Sequence, residues 1–241
     1  MRTQEKHATR FRSIQTSLLF VIVPAVIISM AVLSLMGYLS SKAIIQTSAG
    51  NEMSQCLSVA MGSIEMSLSN NRMVAETMAR GVEAVQRQAV KGEQTASDWD
   101  AAAYQEILTS FVGSNPETFG GGIWFEPYQY RPEQRYFSPY CMRQNGAVTY
   151  VDNYSLGEGV YYTDQDWYTN AANTTQKSVW SAPYYDEFAQ ISMVTSSAPI
   201  YDETGRFLGV ATADIDLTQM QQMVLSLDVV ANGRAFLIDD T

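Results

Sequence analysis

A run of 21 residues without a charged side chain, residues 18–38, most constrains how this 241-residue chain can fold. As an α-helix the run extends about 31 Å at about 1.5 Å per residue, which is enough to cross a bilayer. A cleaved signal peptide is one competing interpretation, but its apolar core has only about 7–15 residues and ends at a small-residue cleavage site. A buried core helix of a soluble protein is the other. The length favours an uncleaved transmembrane helix over residues 18–40.

The charged residues on the two sides of this run predict its orientation. Four basic residues and one acidic residue precede it, whereas Lys42 alone follows closely. The positive-inside rule then predicts a cytoplasmic tail at residues 1–17, a single pass through the inner (plasma) membrane and an extracytoplasmic remainder. That remainder carries 11 basic against 24 acidic residues, which disfavours nucleic acid as a partner. A cation or an amine is a more natural guest, although the charge by itself is explained most simply by a solvated acidic surface.

After the membrane segment, the sequence pattern predicts an α+β fold. Apolar residues recur at steps of three and four, which indicates a long amphipathic helix over residues 41–92, and Gly62, Gly81 and the Asn70–Asn71 pair favour a kink or short break in it. A polar segment and a short helix at 101–112 follow, and Gly120, Gly121 and Gly122 then break the helical pattern. Aromatic and β-branched runs separated by turn residues predict strands at 123–126, 135–143, 148–153, 178–185, 191–201 and 207–215. With short helices at 164–173 and 217–227, five or six mostly antiparallel strands make a PAS-like layered fold.

Several kinds of chemistry are disfavoured by the composition. The single histidine, His7, lies in the predicted cytoplasmic tail, so the exterior domain can form neither a Ser-His-Asp or Cys-His site nor a histidine metal site. We therefore expect no enzyme, no metal and no cofactor, although a hydrolase that uses paired carboxylates stays open because acidic residues are plentiful. Cys56 and Cys141 either form one bridge or remain two buried thiols.

Aromatic and acidic residues are concentrated in three segments, YYTDQDWY at 161–168, VWSAPYYD at 179–186 and GVATADIDL at 209–217. Together with GIWFEP near 122–127 and GRAFLID at 233–239, these segments resemble the double Cache (dCache) sensor domain of bacterial transmembrane receptors, over about residues 40–241. The resemblance implies a membrane-distal module at 93–228 and the beginning of a membrane-proximal module at 229–241. It also implies a fragment or a truncated reading frame, because the complete receptor would continue into an output domain.

The resemblance further implies a ligand site. Amino-acid-sensing members carry an arginine two positions before the Trp-Tyr pair, where it grips the ligand carboxylate, and Gln165 occupies that position here. The acidic neighbours of Gln165 instead resemble the amine-sensing variant, in which acids and aromatic faces hold an ammonium group. The implied ligand-binding residues are Tyr161, Asp164, Asp166, Trp167, Tyr168, Tyr184, Asp186 and Asp214.

Strand alternation supports one of these residues independently. In the strand at 207–215, Asp214 shares a face with Val210 and Thr212, whereas Ala211 and Ala213 lie on the smoother apolar face. If Tyr161 and Tyr184 point into the site, the tyrosines that follow each of them should point away.

The sequence thus predicts the sensing part of a transmembrane receptor for chemotaxis or related signalling, with a small amine as ligand and a homodimer formed through the long helix. An amino-acid or other metabolite sensor of the same fold, a membrane-anchored hydrolase, and a truncated chain that only binds partners are the alternatives.

Overall fold

The computed structural model describes residues 14–91, 101–151, 154 and 159–225. The start of the predicted cytoplasmic tail, the polar segment at 92–100 and the last predicted strand, at 233–239, lie outside the described residues. The chain divides into two units, Met1–Gln55 and Cys56–Thr241, and each is described by itself.

Helix α1 spans Ile14–Lys91. Within the first unit its described side chains are almost all exposed, and its most apolar 18-residue stretch has a mean hydropathy of 2.8. By length and composition, α1 is therefore long and apolar enough to cross a membrane.

In the second unit, α1 continues through Gly62, Gly81 and the Asn70–Asn71 pair, where the sequence favours a kink or a short break. Asn71 is fully buried there, and its amide group donates a hydrogen bond to the Ser67 carbonyl at 3.1 Å and accepts one from Thr118 Oγ1 at 2.8 Å. A paired polar side chain of this kind ties α1 to the segment that precedes the sheet, so Asn71 is an anchor rather than a point of weakness.

A seven-stranded antiparallel sheet forms the middle of the second unit, in the order β3-β2-β1-β7-β6-β4, with β5 also paired to β6. This arrangement confirms the predicted α+β, PAS-like fold. The strands are β1 (Gly120–Phe125), β2 (Tyr140–Gln144), β3 (Ala147–Val151), β4 (Val179–Trp180), β5 (Tyr184–Asp186), β6 (Ile191–Tyr201) and β7 (Phe207–Asp216). The short helices are α2 (Ala101–Ser114), α3 (Asp166–Ala172) and α4 (Leu217–Leu225), and one 3-10 turn spans Tyr162–Asp164.

The sheet buries both of its faces. On one face, which we call the helix face, α1 and α2 pack around Tyr104, whose ring meets those of Phe125, Tyr130 and Phe137 edge to face. On the other face, which we call the aromatic face, Trp124 contacts the rings of several residues from α3 and the connecting segments. The aromatic face carries the polar side chains described below.

Two predicted strands are shorter than the sequence pattern suggests. Pro139 precedes β2 and Pro183 precedes β5, and because proline has no N–H to donate to a ladder, regular pairing is interrupted at both positions. The three glycines at 120–122, which break the helical pattern in the sequence, form the first half of β1.

The two cysteines are free thiols in this structure: Cys141 is buried and Cys56 is half-buried. Burial raises the pKa of the Cys141 thiol, while a contact with the Thr109 hydroxyl lowers it.

Strand β7 alternates as predicted over residues 210–214. Ala211 and Ala213 lie on the helix face, and Thr212 and Asp214 lie on the aromatic face. At the beginning of the strand the alternation is reversed, because Gly209 adopts a φ of +151° and the pairing with β6 shifts by one residue nearby. The regular part of β7 therefore directs Asp214 into the aromatic face.

Candidate functional site

A small cavity lies within the aromatic face of the sheet. The volume open to the centre of a water molecule is about 10 Å³, so the cavity has room for about one water molecule. Any larger ligand therefore requires the surrounding side chains to move apart. The cavity is lined by Trp124, Tyr140, Tyr154, Trp167, Tyr184, Asp186, Met193, Thr195, Thr212 and Asp214.

The first carboxylate of the cavity belongs to Asp214 on β7, which is 3% exposed. Its Oδ2 atom accepts a hydrogen bond from the Tyr140 hydroxyl at 2.7 Å, and its Oδ1 atom accepts one from Thr195 Oγ1 at 2.7 Å. Thr195 lies directly opposite Asp214 in the β6–β7 register, so the pairing of the two strands places its hydroxyl beside the carboxylate. Burial raises the pKa of Asp214 to about 7 and the nearby Asp186 raises it as well, although both hydrogen bonds lower it.

The second carboxylate belongs to Asp186 at the end of β5, which is 6% exposed. The Tyr154 hydroxyl lies 2.6 Å from both of its oxygen atoms, and the Ala189 N–H donates to Oδ1 at 2.7 Å. Asp186 thereby closes the turn that joins β5 to β6. The ring of Phe188, in the same turn, packs 4.4 Å from that of Tyr154.

Each tyrosine hydroxyl of the cavity donates a hydrogen bond to another residue that lines the cavity. Since the single hydrogen of the Thr195 hydroxyl goes to Asp214, the Tyr184 hydroxyl, 2.8 Å from Thr195 Oγ1, must be the donor of that pair. Burial raises the pKa of Tyr140, Tyr154 and Tyr184 well above the usual range of tyrosine, and neighbouring aspartates raise it further. These hydroxyls stay protonated at neutral pH, and each one already has a partner.

The charges in the cavity are of one sign. Asp186 and Asp214 are acidic, and no lysine, arginine or histidine is among the lining residues that the structure describes. Each of the two carboxylates has more lone pairs than the hydrogen bonds above occupy. A buried carboxylate without a counter-ion is costly, so the arrangement favours a guest that brings a positive charge and N–H donors.

The structure brings four of the eight residues implied by the sequence together at this cavity, namely Trp167, Tyr184, Asp186 and Asp214. The other four lie outside its lining. Asp164 and Asp166 are exposed at the surface, and Tyr168 is buried but donates its hydroxyl to Glu126 at 2.7 Å. Tyr161 is 41% exposed and stacks on Tyr136.

Local geometry explains the position of Tyr161. The segment turns through a single 3-10 turn at Tyr162–Asp164, so Tyr162 is the buried member of the pair and donates its hydroxyl to the Phe125 carbonyl. This is the reverse of the alternation that the sequence suggested. At the second tyrosine pair, Tyr184 lines the cavity and Tyr185 is 59% exposed, which is the alternation that the sequence suggested.

Three residues whose hydroxyls donate to the two aspartates were not identified from the sequence: Tyr140, Tyr154 and Thr195. The sequence holds only a partial signal for Thr195, since β6 was predicted with its correct bounds and Asp214 was placed on the strand that follows. Regular pairing from the turn at 202–205 would leave Thr195 out of register with Asp214, and it is the register shift at the end of β6 that brings the two residues opposite each other. No comparable short-range pattern links Tyr140 or Tyr154 to an aspartate.

A larger and more open cavity, of about 470 Å³, lies between α1 and the segment before β4. It is lined in part by Arg72, Glu76 and Lys177, and the Ser178 hydroxyl donates to Glu76 at 2.7 Å. Its charged side chains are of both signs and are largely exposed to solvent, where each one interacts only weakly with a bound ligand. We therefore regard the smaller cavity, with its buried carboxylates, as the candidate site.

Comparison with protein families agrees with this architecture. Residues 104–222 match the model of the methyl-accepting chemotaxis protein-like, first PDC sensor domain. The second unit has a Cache-type fold. The same fold appears in the crystal structure of the ligand-binding domain of the Campylobacter jejuni chemoreceptor Tlp3 in complex with L-valine. That domain is 16% identical to this chain with a TM-score of 0.55, and the alignment covers 77% of this chain and 66% of that domain.

Two curated relatives are also chemotaxis proteins. The chain is 39% identical over 77 residues, 32% of its length, to the methyl-accepting chemotaxis protein McpC of Bacillus subtilis. It is 25% identical over 193 residues, 78% of its length, to the methyl-accepting chemotaxis protein McpA of Pseudomonas putida. The chain spans only 12% and 29% of the lengths of these relatives.

Proposed function

We propose that this chain is the ligand-sensing part of a membrane-anchored chemoreceptor and that its ligand is a small molecule with an ammonium group. The observation that carries the proposal is the pair of buried carboxylates, Asp186 and Asp214, which line one cavity without a basic side chain in its described lining. The ligand supplies the missing positive charge.

The donors and acceptors of the cavity support an ammonium group in particular. An ammonium group has three N–H donors and no acceptor, and the free lone pairs of Asp186 and Asp214 are its natural partners. Trp124 and Trp167 add aromatic rings to the lining, and the face of an indole attracts a cation.

The membrane arrangement is part of the same proposal. Residues 1–17 form a cytoplasmic tail, residues 18–40 cross the membrane, residues 41–92 are the extracytoplasmic segment that the sequence predicts as a long helix, and residues 93–228 form the membrane-distal module, followed by the start of a second module at 229–241. Supporting this order are the basic residues before the apolar run and the exposure of that run. Exposed apolar side chains on α1, such as Val59, Met61 and Met66, support a homodimer through this helix.

A second candidate function is the sensing of an amino acid. The likeness in fold to a chemoreceptor domain that was solved with L-valine favours it. An amino acid brings a carboxylate as well as an ammonium group, and that carboxylate needs donors, ideally an arginine. Gln165 stands where the amino-acid-sensing pattern has its arginine, and the three tyrosine hydroxyls of the cavity are already committed, so we prefer the amine.

Direct titration tests the proposal. The full chain, purified in detergent micelles, is titrated with methylamine, ethylamine and isobutylamine. We expect saturable binding of at least one of them, and a loss of at least about 10-fold in affinity in Asp186→Asn and in Asp214→Asn, because a charge-assisted hydrogen bond contributes about 1.5–3 kcal/mol.

Glu187→Gln is the matched control, since Glu187 follows Asp186 directly in sequence but is exposed. It should bind like the wild type. Equal binding by the wild type and by both aspartate variants would show that the site lies elsewhere.

A further inference from the structure

Asp214 is surrounded by groups that affect its protonation state and that hydrogen-bond to its oxygen atoms. Tyr140 faces it from β2, Thr195 from β6, Asp186 and Tyr184 from β5, and Tyr154 from the segment after β3. In addition, α3 contributes Trp167, which does not titrate. Asp186 is thus the one charged side chain, among the described lining residues, that faces Asp214.

Two carboxylates in one buried cavity do not both ionise easily when no cation is present. Asp214 holds a proton below about pH 7, because burial raises its pKa to about 7. A protonated Asp214 must donate its own O–H. Since Tyr140 and Thr195 both donate to the ionised carboxylate, one of these two hydroxyls has to turn and accept instead.

An arriving ammonium group reverses this situation. It needs acceptors and brings the missing positive charge, so it binds best to the ionised form of Asp214. The proton of Asp214 then passes to the buffer, the O–H bond of the carboxyl group breaks, and the carboxylate oxygens accept N–H donors from the ligand. Below neutral pH, one ligand cation enters for each proton released.

We propose that Tyr140 and Thr195 are positioning residues that hold Asp214 as an acceptor and so set the pH range in which the cavity takes an ammonium ligand. The inference rests on the proposed function and deepens it. Each of the two hydroxyls stabilises the ionised carboxylate, so losing either one strengthens the hold of Asp214 on its proton. Amine binding then requires a higher pH.

Calorimetric titration of the full chain with the amines above tests this inference. At each pH, titrations in two buffers of different ionisation enthalpy give the number of protons released per bound ligand. For the wild type we expect about one proton at pH 6 and about none at pH 8.5. In Tyr140→Phe and in Thr195→Val, the pH at which half a proton is released should rise by about one unit, and the affinity lost at pH 7 should be partly restored at pH 8.5.

Two control variants separate positioning from a merely structural role. Thr195→Ser keeps the hydroxyl and should retain the wild-type profile. Tyr162→Phe removes the hydroxyl of a buried tyrosine on the same face, which donates to a backbone carbonyl rather than to a carboxylate, and should leave the profile unchanged. Should Tyr140→Phe fail to fold, the Thr195 pair and the wild-type proton count still decide the question.

The outcomes for the two proposals differ. Binding without proton release at pH 6, or identical proton-release profiles in the wild type, Tyr140→Phe and Thr195→Val, would overturn the positioning role and leave amine sensing intact. A wild type that binds none of the three amines at any pH would overturn the proposed function, and this inference with it.

Discussion

Gly120 on β1 lies directly opposite Asp214 on β7, and a Cβ atom at position 120 would collide with the Tyr140 hydroxyl. The strand that separates Tyr140 from Asp214 therefore carries no side chain at the point where their hydrogen bond crosses it. The glycine leaves the space through which the two residues meet.

Gly120→Ala should accordingly weaken amine binding at pH 6 by up to about 10-fold, as Tyr140→Phe does, because the displaced Tyr140 hydroxyl no longer stabilises the ionised form of Asp214. Amine titration of the full chain measures the effect. Gly113→Ala, in α2, is the control: nothing lies within 4 Å of its Cβ position, so binding should be preserved and stability unchanged or slightly raised. Equal affinity in the two variants would contradict the role assigned to Gly120.

The pH dependence of stability gives a second prediction. The pKa of Asp214 is about 7 in the folded chain and about 3.9 in an unfolded one. Its stabilising contribution is therefore complete below about pH 4 and is lost as the pH rises towards 7, because only the unfolded state gives up its proton in that window.

We expect the melting temperature of the ligand-free wild type, relative to that of Asp214→Asn, to fall progressively between pH 4.5 and pH 7.5. The asparagine cannot ionise, so the variant lacks this contribution at every pH. A difference between the two proteins that stays constant across this range would contradict the buried, proton-holding state of Asp214.

The two exposed aspartates that flank Gln165 give a third prediction. Asp164 and Asp166 lie outside the cavity lining, and exposed charges act weakly through solvent. The double variant Asp164→Asn/Asp166→Asn should therefore lower amine affinity by no more than about 3-fold, with the loss disappearing at high salt. A salt-independent loss of 10-fold or more would show that they contact the ligand directly, as the sequence resemblance implies.

The hydrogen bond between Thr118 and Asn71 gives a fourth prediction, on stability. Asn71→Ala leaves the buried Thr118 hydroxyl without this acceptor, which costs about 1–3 kcal/mol. Urea denaturation followed by tryptophan fluorescence measures the change. Asn70→Ala, one position away and only half-buried, should cost clearly less, and an equal effect of both substitutions would argue against an anchoring role for Asn71.

Sequence periodicity predicted the fold well where local patterns determine structure. β6 has the predicted bounds, and the alternation in β7 placed Asp214 on the correct face, since a strand with one apolar face strongly specifies its register. Proline positions explain the shortened strands around β2 and β5.

The candidate site could be predicted only in part, because its hydrogen bonds join residues far apart in the chain. Tyr140 meets Asp214 across 74 positions, and Tyr154 meets Asp186 across 32. Such contacts depend on the strand order of the sheet, which no local pattern determines. The reversal at Tyr161 and Tyr162 has a different origin: a single 3-10 turn replaces a period of two residues by one of about three.

The central claim is that the cavity recognises an ammonium group and has no place for a carboxylate. The most direct test compares the affinity of the full chain for matched pairs that differ only by a carboxylate: methylamine with glycine, ethylamine with L-alanine, and isobutylamine with L-valine, by calorimetry at pH 8. We predict that at least one amine binds at least about 10-fold more tightly than its amino acid, because the carboxylate meets Asp186 and Asp214 without a basic partner. Tighter binding of the amino acid in every pair would contradict the account.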